Sequence, residues 1–199
     1  SPLEDLWIDI HLSLSGAPTG NDFEARVMGA IKDIFDKAAR SATAETPARI
    51  HYAGLHEAIA MLLEEGLPAV FARHERHAQA TRAAVLAWGL EVLCAEPAEY
   101  SPALTAILMP AGHSADAVRK VALSRFNLSL GQGLGKVADK VFRIGHLGDF
   151  NDLTLLGTLG GVEMALGLSG APVRPGGVQA AMAHLAATSR AAPEPLAAA

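Results

Sequence analysis

The spacing of apolar residues changes along the chain. Of all the features of the sequence, this change most restricts the fold that the chain can adopt. Between residues 46 and 89, apolar side chains recur at helical spacing in two segments that end at Gly66 and Gly89. Beyond that point the apolar runs are short and bounded by prolines, at residues 90–94 and 104–109. Short apolar runs between turn residues are typical of β-strands. The pattern therefore predicts two helices followed by strands.

Further elements extend this pattern. Ser114 can cap a helix, residues 140–144 alternate as a strand does, and Asn151 with Asp152 can cap a long helix that ends near residue 168. The predicted order is helix, helix, strand, strand, helix, strand, strand, helix. This order indicates the α+β class, with a small antiparallel or mixed sheet and helices packed on one face.

The two ends of the chain differ in composition from its middle. Residues 1–45 predict a loop followed by an amphipathic helix, and residues 171–199 predict a weak helix with a disordered tail rich in alanine and proline. The α+β domain is therefore predicted to span residues 46–170.

Charge and composition exclude several classes of partner. The net charge is −5 and the basic residues are scattered, so nucleic acid is not an expected partner. No apolar run reaches the roughly 18 residues that cross a bilayer, and the first residues lack the basic start of a secretory signal. We therefore expect a cytoplasmic protein with no membrane partner. The single cysteine, Cys94, permits no disulfide framework, and its apolar neighbours predict burial.

The eight histidines suggest no metal site, because none is spaced with cysteines or carboxylates as metal ligands are. His74 and His77 lie one helical turn apart in a stretch rich in Arg, Glu and Gln. We interpret this stretch as a solvated helix face.

A cluster of glycines at residues 131–135 raises the question of a phosphate-binding loop. Lys136 is followed by Val137, so the run lacks the spacing of the P-loop, and it also lacks that of the dinucleotide-binding fingerprint. A turn or flexible connector is favoured over an anion cradle.

Arg143 is the residue with the clearest chemical implication. It lies within an apolar strand, where an unpaired charge would be costly to bury, so an anion is expected to face it. The planar guanidinium matches a carboxylate in two parallel hydrogen bonds, which suits it to anchor the α-carboxylate of a substrate. From the residues alone, an arginine paired with a nearby Asp or Glu, or placed at a sheet edge, remains an alternative.

A resemblance adds to this interpretation. Residues 133–157, GLGKVADKVFRIGHLGDFNDLTLLG, resemble the closing signature of the class V aminotransferases in its serine–glyoxylate variant. Shorter blocks upstream are similar to the same family in the same order, and they read TPA at 46–48, GLHEA at 54–58, EEGL at 64–67, ARH at 72–74, ATRAA at 80–84 and AWGL at 87–90. The resemblance covers residues 46 to about 170.

The resemblance implies the C-terminal domain of a fold-type I transaminase. Such an enzyme moves an amino group from serine or alanine to glyoxylate with pyridoxal 5'-phosphate, as a homodimer with the active site at the subunit interface. Arg143 falls on the arginine that holds the substrate carboxylate. Thr46 falls on the threonine that reaches across the dimer to the cofactor phosphate, although Thr43 replaces a tyrosine expected three residues earlier.

The resemblance also implies a catalytic lysine that is not recognisable in this sequence. Pyridoxal phosphate chemistry needs a lysine that forms a Schiff base, and no lysine motif of that kind is recognisable here. Lys32 and Lys37 lie beside Asp33 and Asp36, as on a solvated helix face. No catalytic residue is therefore predicted in this chain, which would be inactive alone as a truncated product or one half of a split enzyme. The alternative is a non-catalytic dimerisation or interaction module derived from the family.

Overall fold

The computed structural model describes residues 48–189, with side chains from residue 54 onward. Thr46, Thr43, Lys32, Lys37 and the predictions made for residues 1–45 and for the tail lie outside the described residues. The chain divides into two compact units, Ser1–Val70 and Phe71–Ala199.

The first unit contains helix α1 (Ala48–Glu65) and the start of helix α2 (Leu67–Ala87). Gly66 lies between them with a φ of +81°, a conformation that glycine adopts without steric cost. Its N–H donates to the carbonyl of Leu62 at 2.9 Å, which closes α1. The predicted end of the first helix at this glycine is confirmed.

The second unit is built on a four-stranded antiparallel sheet with strand order β1-β2-β4-β3. Its strands are β1 (Glu91–Val92), β2 (Leu104–Leu108), β3 (Gly131–Gln132) and β4 (Val141–Gly145). Besides the rest of α2, its helices are α3 (Ala115–Phe126), α4 (Asp152–Leu168) and α5 (Gly177–Ala187). The predicted α+β class and the predicted order of elements are confirmed.

The start of α3 and that of α4 follow the predicted capping chemistry. The Ser114 hydroxyl accepts a hydrogen bond from the Ala117 N–H, and the Asn151 side chain accepts one from the Thr154 N–H. Each cap satisfies an N–H that has no partner within its own helix.

The core lies against one face of the sheet. Ile107 of β2 pairs with Phe142 of β4, and Thr105 pairs with Ile144, and all four side chains are buried. Trp88, directly after α2, joins the same core, which is completed by residues from α2, α3, α4 and α5. Because side chains alternate along a strand, Arg143 lies on the opposite face, beside Ala106 of β2.

Three predictions about individual residues and short segments differ from the structure. The interpretation of His74 and His77 as a solvated face is wrong, because they are 7% and 0% exposed. Cys94 is half-buried rather than buried. The glycine cluster was predicted as a turn or flexible connector, and a short 3₁₀ turn is present at Gly135–Val137, but Gly131–Gln132 form strand β3 instead. In the part of the chain that the structure describes, no helix is long and apolar enough to span a bilayer.

Candidate active site

Arg143 occupies the middle of β4, between two backbone neighbours. It pairs with Ala106 on one side and with Gly131 on the other. The side chain is half-buried. The sheet therefore fixes the backbone that carries this guanidinium on both sides.

The Arg143 guanidinium has no partner among the described residues. Its Nε is buried, and within residues 48–189 neither a hydrogen-bond acceptor nor a carboxylate pairs with it. A buried donor without an acceptor costs roughly 1–3 kcal/mol, so such a group marks a place where an external acceptor would be favourable. The alternative of an arginine clasped by a neighbouring Asp or Glu is not observed in this part of the chain.

The two ends of the guanidinium differ in access. Nε is sealed from solvent, whereas the terminal nitrogens are not among the buried unpartnered atoms of the described side chains. They are therefore the donors that an incoming anion can reach. Two parallel N–H groups match the two oxygens of a carboxylate.

Gly131 provides the space for this arrangement. A Cβ at this position would lie 3.0 Å from the Arg143 Cβ and 3.1 Å from its Nε. The nearby Gly133 is required for a different reason, because a Cβ there would lie 2.1 Å from the Val137 carbonyl oxygen. Its N–H donates to the Val141 carbonyl at 2.8 Å, so the sheet uses an amide that an anion cradle would need.

The loop that follows β4 is held by α2. Arg73 Nη1 donates to the carbonyl of Gly148 at 2.7 Å and to that of Phe150 at 3.3 Å. The Gly148 N–H donates to Nε2 of His74 at 3.0 Å. Residues on one face of α2 therefore fix the chain just beyond the strand that carries Arg143.

A second contact between α2 and the start of α4 involves three charged or titratable groups. Arg76 holds Asp152 through two hydrogen bonds, Nη1 to Oδ1 at 2.6 Å and Nη2 to Oδ2 at 2.7 Å. His77 Nε2 lies 2.9 Å from Asp152 Oδ1. The hydrogen bond from Arg76 holds the pKa of Asp152 at about 2. Burial lowers the pKa of His77, although the Asp152 carboxylate opposes this change.

His146 fixes the C-terminal end of β4. Its Nδ1 lies 2.9 Å from the Pro102 carbonyl oxygen, and its Nε2 lies 2.9 Å from the Thr105 hydroxyl. Because a carbonyl only accepts, Nδ1 carries the proton and Nε2 accepts from the hydroxyl. Burial lowers the pKa of this imidazole to about 4, so it is neutral at pH 7. It therefore acts as a hydrogen-bonded core residue.

Sequence reasoning missed the roles of His74 and His77, although a local signal existed. The buried positions of α2 continue from these histidines through Thr81 and Ala84 at helical spacing, and Trp88 directly after the helix extends the series. This series of buried positions was not recognised in the sequence because polar residues occupy its first half. Their partners lie about 75 residues further along the chain.

Two other kinds of site were considered in the described residues, a surface groove and a metal site. A groove with a cavity volume of about 580 Å³ is lined by residues of α2 and β1 and of the segment after β1, among them Arg82, Cys94 and Tyr100, and Arg143 does not contribute to it. Across the described residues, no three His, Cys, Asp or Glu side chains are grouped as metal ligands are.

Comparison with known proteins places these observations in a family. The chain is 52% identical over 133 residues to a serine–glyoxylate aminotransferase of Methylorubrum extorquens, which covers 66% of this chain and 33% of that protein. It is 50% identical over 134 residues to a serine–glyoxylate aminotransferase of Arabidopsis thaliana, with 66% and 33% covered. Among solved structures, pyridoxamine–pyruvate aminotransferase from Mesorhizobium loti aligns with a TM-score of 0.68 at 33% identity, over 75% of this chain and 38% of that one. No family model matches the chain.

The chain corresponds to the C-terminal portion of a class V aminotransferase of the serine–glyoxylate type. It spans about a third of the length of the relatives just named. The cofactor that this family implies is pyridoxal 5'-phosphate.

Proposed function

We propose that residues 46–170 form the C-terminal domain of a pyridoxal-phosphate-dependent transaminase of the serine–glyoxylate type, and that Arg143 binds the carboxylate of its amino and keto acid substrates. The observation that carries the proposal is the guanidinium of Arg143, which extends from an apolar strand and has no acceptor for its buried Nε within the described residues. Relatives named for serine, glyoxylate and pyruvate all act on small acids that carry a carboxylate.

Arg143 would bind and orient its substrate through its terminal nitrogens. A carboxylate that accepts from both is fixed in plane and direction, and hydrogen bonds between charged groups are about twice as strong as those between neutral groups. Backbone pairing of β4 with β2 and β3 keeps the base of the side chain in place. Orientation of this kind lowers the entropy that a reaction must lose.

Pyridoxal phosphate, when bound, supplies the electron sink that amino transfer requires. In this chain the residue proposed to contact its phosphate is Thr46, which lies outside the described residues. Among the described residues, the unpartnered guanidinium of Arg143 would hold the substrate carboxylate.

We further propose that the Schiff-base lysine is not one of the five lysines among these 199 residues. It would belong to a large domain, either elsewhere in a longer polypeptide or in a partner chain. A homo-oligomer or a complex with a lysine-bearing chain would then complete the active site, and these 199 residues alone would not transaminate.

Two measurements test the proposal. Pyridoxal phosphate added to the purified chain should give no protein-bound aldimine band, and borohydride should leave no covalent adduct of the cofactor on a lysine, because the Schiff-base lysine is absent. Co-expression with a lysine-bearing domain of the family should restore transamination between serine and glyoxylate. A covalent adduct formed by the chain alone would contradict the proposed division of residues.

The role of Arg143 is tested in the restored enzyme. Arg143→Ala should lower kcat/KM by roughly 100-fold or more, since two charge-assisted hydrogen bonds at ~1.5–3 kcal/mol each are lost. Arg125→Ala is the matched control, because Arg125 is exposed and lies near the end of α3. An Arg143→Ala enzyme with unchanged KM for glyoxylate and unchanged kcat would rule out carboxylate binding by this residue.

A second candidate function is a non-catalytic interaction module, which one observation favours. Leu153, Met164 and Leu168 of α4 are 79%, 52% and 63% exposed. Exposed apolar side chains on one element favour protein association. If a protein partner copurifies with the chain and the complex forms equally well with Arg143→Ala, while no lysine-bearing domain restores transamination, the interaction module is the better description.

A further inference from the structure

We infer that Gly131 is a positioning residue for Arg143, and that its lack of a side chain determines the affinity of the site for carboxylates. The inference rests on the proposed function of Arg143. It assigns a role in the same site to one glycine of the cluster that failed to match any phosphate-binding pattern.

The register of the sheet places the two residues together. Gly131 of β3 is the direct partner of Arg143 in β4. Side chains of directly opposed residues in an antiparallel pair approach within about 5 Å at their Cβ atoms, so a side chain at 131 would compete with Arg143 for the same face. With hydrogen in that place, the arginine lies against the backbone of β3.

The distances show how little space remains. A Cβ at position 131 would lie 3.0 Å from the Arg143 Cβ, 3.1 Å from Nε and 3.6 Å from Cζ. The first of these atoms belongs to the rigid base of the side chain, because its position is set by the paired backbone of β4. The two strands would have to shift by a few tenths of an ångström to relieve the contact with the Cβ, and the stem of the arginine would have to rotate away from β3 to relieve the contact with Nε. The guanidinium would move with the stem.

This displacement matters because the two ends of the guanidinium have different surroundings. Nε is sealed while the terminal nitrogens reach solvent, so the present position aims the tip of the side chain outward. A rotated stem exposes Nε and turns the tip from the direction in which a carboxylate is held by both terminal nitrogens. Displacement of a binding group by about 1 Å is enough to cost a large factor in binding or rate.

Gly145 provides a matched control on the same face. It lies two residues from Arg143 in β4, and a Cβ there would meet nothing within 4 Å. Gly145→Ala therefore makes the same chemical change in the same strand without touching the arginine. Gly131→Ala and Gly145→Ala should have similar melting temperatures if the sheet tolerates both.

The experiment uses the full chain with ¹⁵N-labelled arginine and follows the Arg143 Nε–H resonance by NMR. Without ligand, this resonance should be protected from exchange with water in the wild type and in Gly145→Ala, and it should be shifted and unprotected in Gly131→Ala. With glyoxylate as the probe, the dissociation constant read from this resonance should rise about tenfold or more in Gly131→Ala only. In the restored enzyme, the same variant should raise KM more than it lowers kcat.

The outcomes separate the two claims. If the wild type binds no glyoxylate, the proposed function fails, whereas loss of Nε–H protection in Gly131→Ala still supports the positioning role. If the wild type binds glyoxylate and Gly131→Ala binds it equally well, the positioning role is wrong while the function stands. Equal losses in Gly131→Ala and Gly145→Ala would also overturn the inference, because the effect would then be general to the sheet.

Discussion

His146 follows the strand that carries Arg143, and its Nδ1 donates to the Pro102 carbonyl in the loop before β2 while its Nε2 accepts from the Thr105 hydroxyl of β2. Its pKa is about 4 in the folded protein, compared with an ordinary value of 6.5. Between these two values the unfolded chain binds a proton that the folded chain does not, so protonation favours unfolding. The contribution of His146 to stability is therefore complete above pH 6.5 and is lost as the pH falls toward 4.

We predict that the free energy of unfolding decreases by roughly 3 kcal/mol between pH 6.5 and pH 4 because of this histidine. His77, whose pKa is also lowered by burial, adds a decrease of the same sign. Urea denaturation at a series of pH values measures the slope. His146→Gln should make the slope shallower. His113→Gln, which removes a half-buried histidine without a side-chain hydrogen bond in the described region, is the control. An unaltered slope in His146→Gln would contradict the assignment.

At the scale of elements, α2 is attached to the start of α4 through Asp152. The carboxylate accepts from Arg76 and lies beside His77, and the hydrogen bond from Arg76 lowers its pKa from 3.8 to about 2. A lowered pKa means that the stabilisation is present above pH 3.8 and is lost as the pH falls toward 2. Asp152 is 41% exposed, so water screens part of this effect.

Asp152→Asn should therefore lower the free energy of unfolding at pH 7 by about 1–2 kcal/mol, and should flatten the pH dependence between pH 4 and pH 2. Asp149→Asn is the control, since Asp149 is an exposed carboxylate in the same loop. Urea denaturation of both variants at pH 7 and pH 3 provides the comparison. Equal stabilities at pH 7 would show that the contact contributes nothing measurable.

Besides its apolar contacts with the core, the start of helix α5 is held by the carboxylate of Glu163. Glu163 Oε2 accepts from the Trp88 indole N–H at 2.8 Å and from the Val178 N–H at 3.0 Å, and Oε1 accepts from the Gly176 N–H at 3.0 Å. A glutamine has one oxygen and one amide nitrogen, and the nitrogen would face an N–H that also donates. The substitution should therefore loosen the start of α5.

We predict faster hydrogen exchange across α5 in Glu163→Gln, with unchanged protection in β2 and β4. The Trp88 fluorescence should change at the same time, because its indole loses an acceptor. Glu91→Gln, an exposed carboxylate of β1, serves as the control. Uniform loss of protection across the whole unit would indicate global destabilisation instead of local detachment.

The predictions from the sequence agree best with the structure where residues close together in the chain determine the local conformation. The caps at Ser114 and Asn151 and the stop at Gly66 were predictable, because each satisfies backbone groups within a few residues. The strand around Arg143 was predictable from its apolar alternation. The predicted order includes a strand between α3 and β4, but its position at the glycines was not predictable, because a glycine cluster carries no periodicity and only pairing with β4 makes it extended.

The same distinction between local and long-range chemistry applies to the candidate site. The residue type and its apolar strand pointed to an anion at Arg143, but its lack of an acceptor within the described residues depends on where every other carboxylate lies in space. Helical spacing signals the burial of His74 and His77, but their hydrogen-bond partners lie about 75 residues away, in the loop after β4 and at the start of α4. The role of Gly131 depends on the register between two strands. Pairing across long sequence distances is therefore what the sequence alone could not supply.

At the scale of the whole molecule, a ligand that binds only the folded chain must stabilise it against unfolding. Glyoxylate at ten times its dissociation constant should raise the free energy of unfolding by about 1.4 kcal/mol. Glycolate should act similarly because it has the carboxylate without the aldehyde. Glycolaldehyde should have no effect because it has no carboxylate. Thermal denaturation at constant ionic strength measures all three.

Arg143→Ala separates specific binding from a general effect of anions. This variant should lose the response to glyoxylate and to glycolate, since the terminal nitrogens that reach solvent are removed. Arg125→Ala should keep the response, because its exposed guanidinium is remote in the chain from the sheet pairing that fixes Arg143. If both variants respond as the wild type does, the anion binds elsewhere. The lack of an acceptor for Arg143 Nε would then be a consequence of packing and not a sign of a binding site. If only Arg143→Ala fails to respond, the guanidinium in β4 is the group through which small carboxylates stabilise the fold.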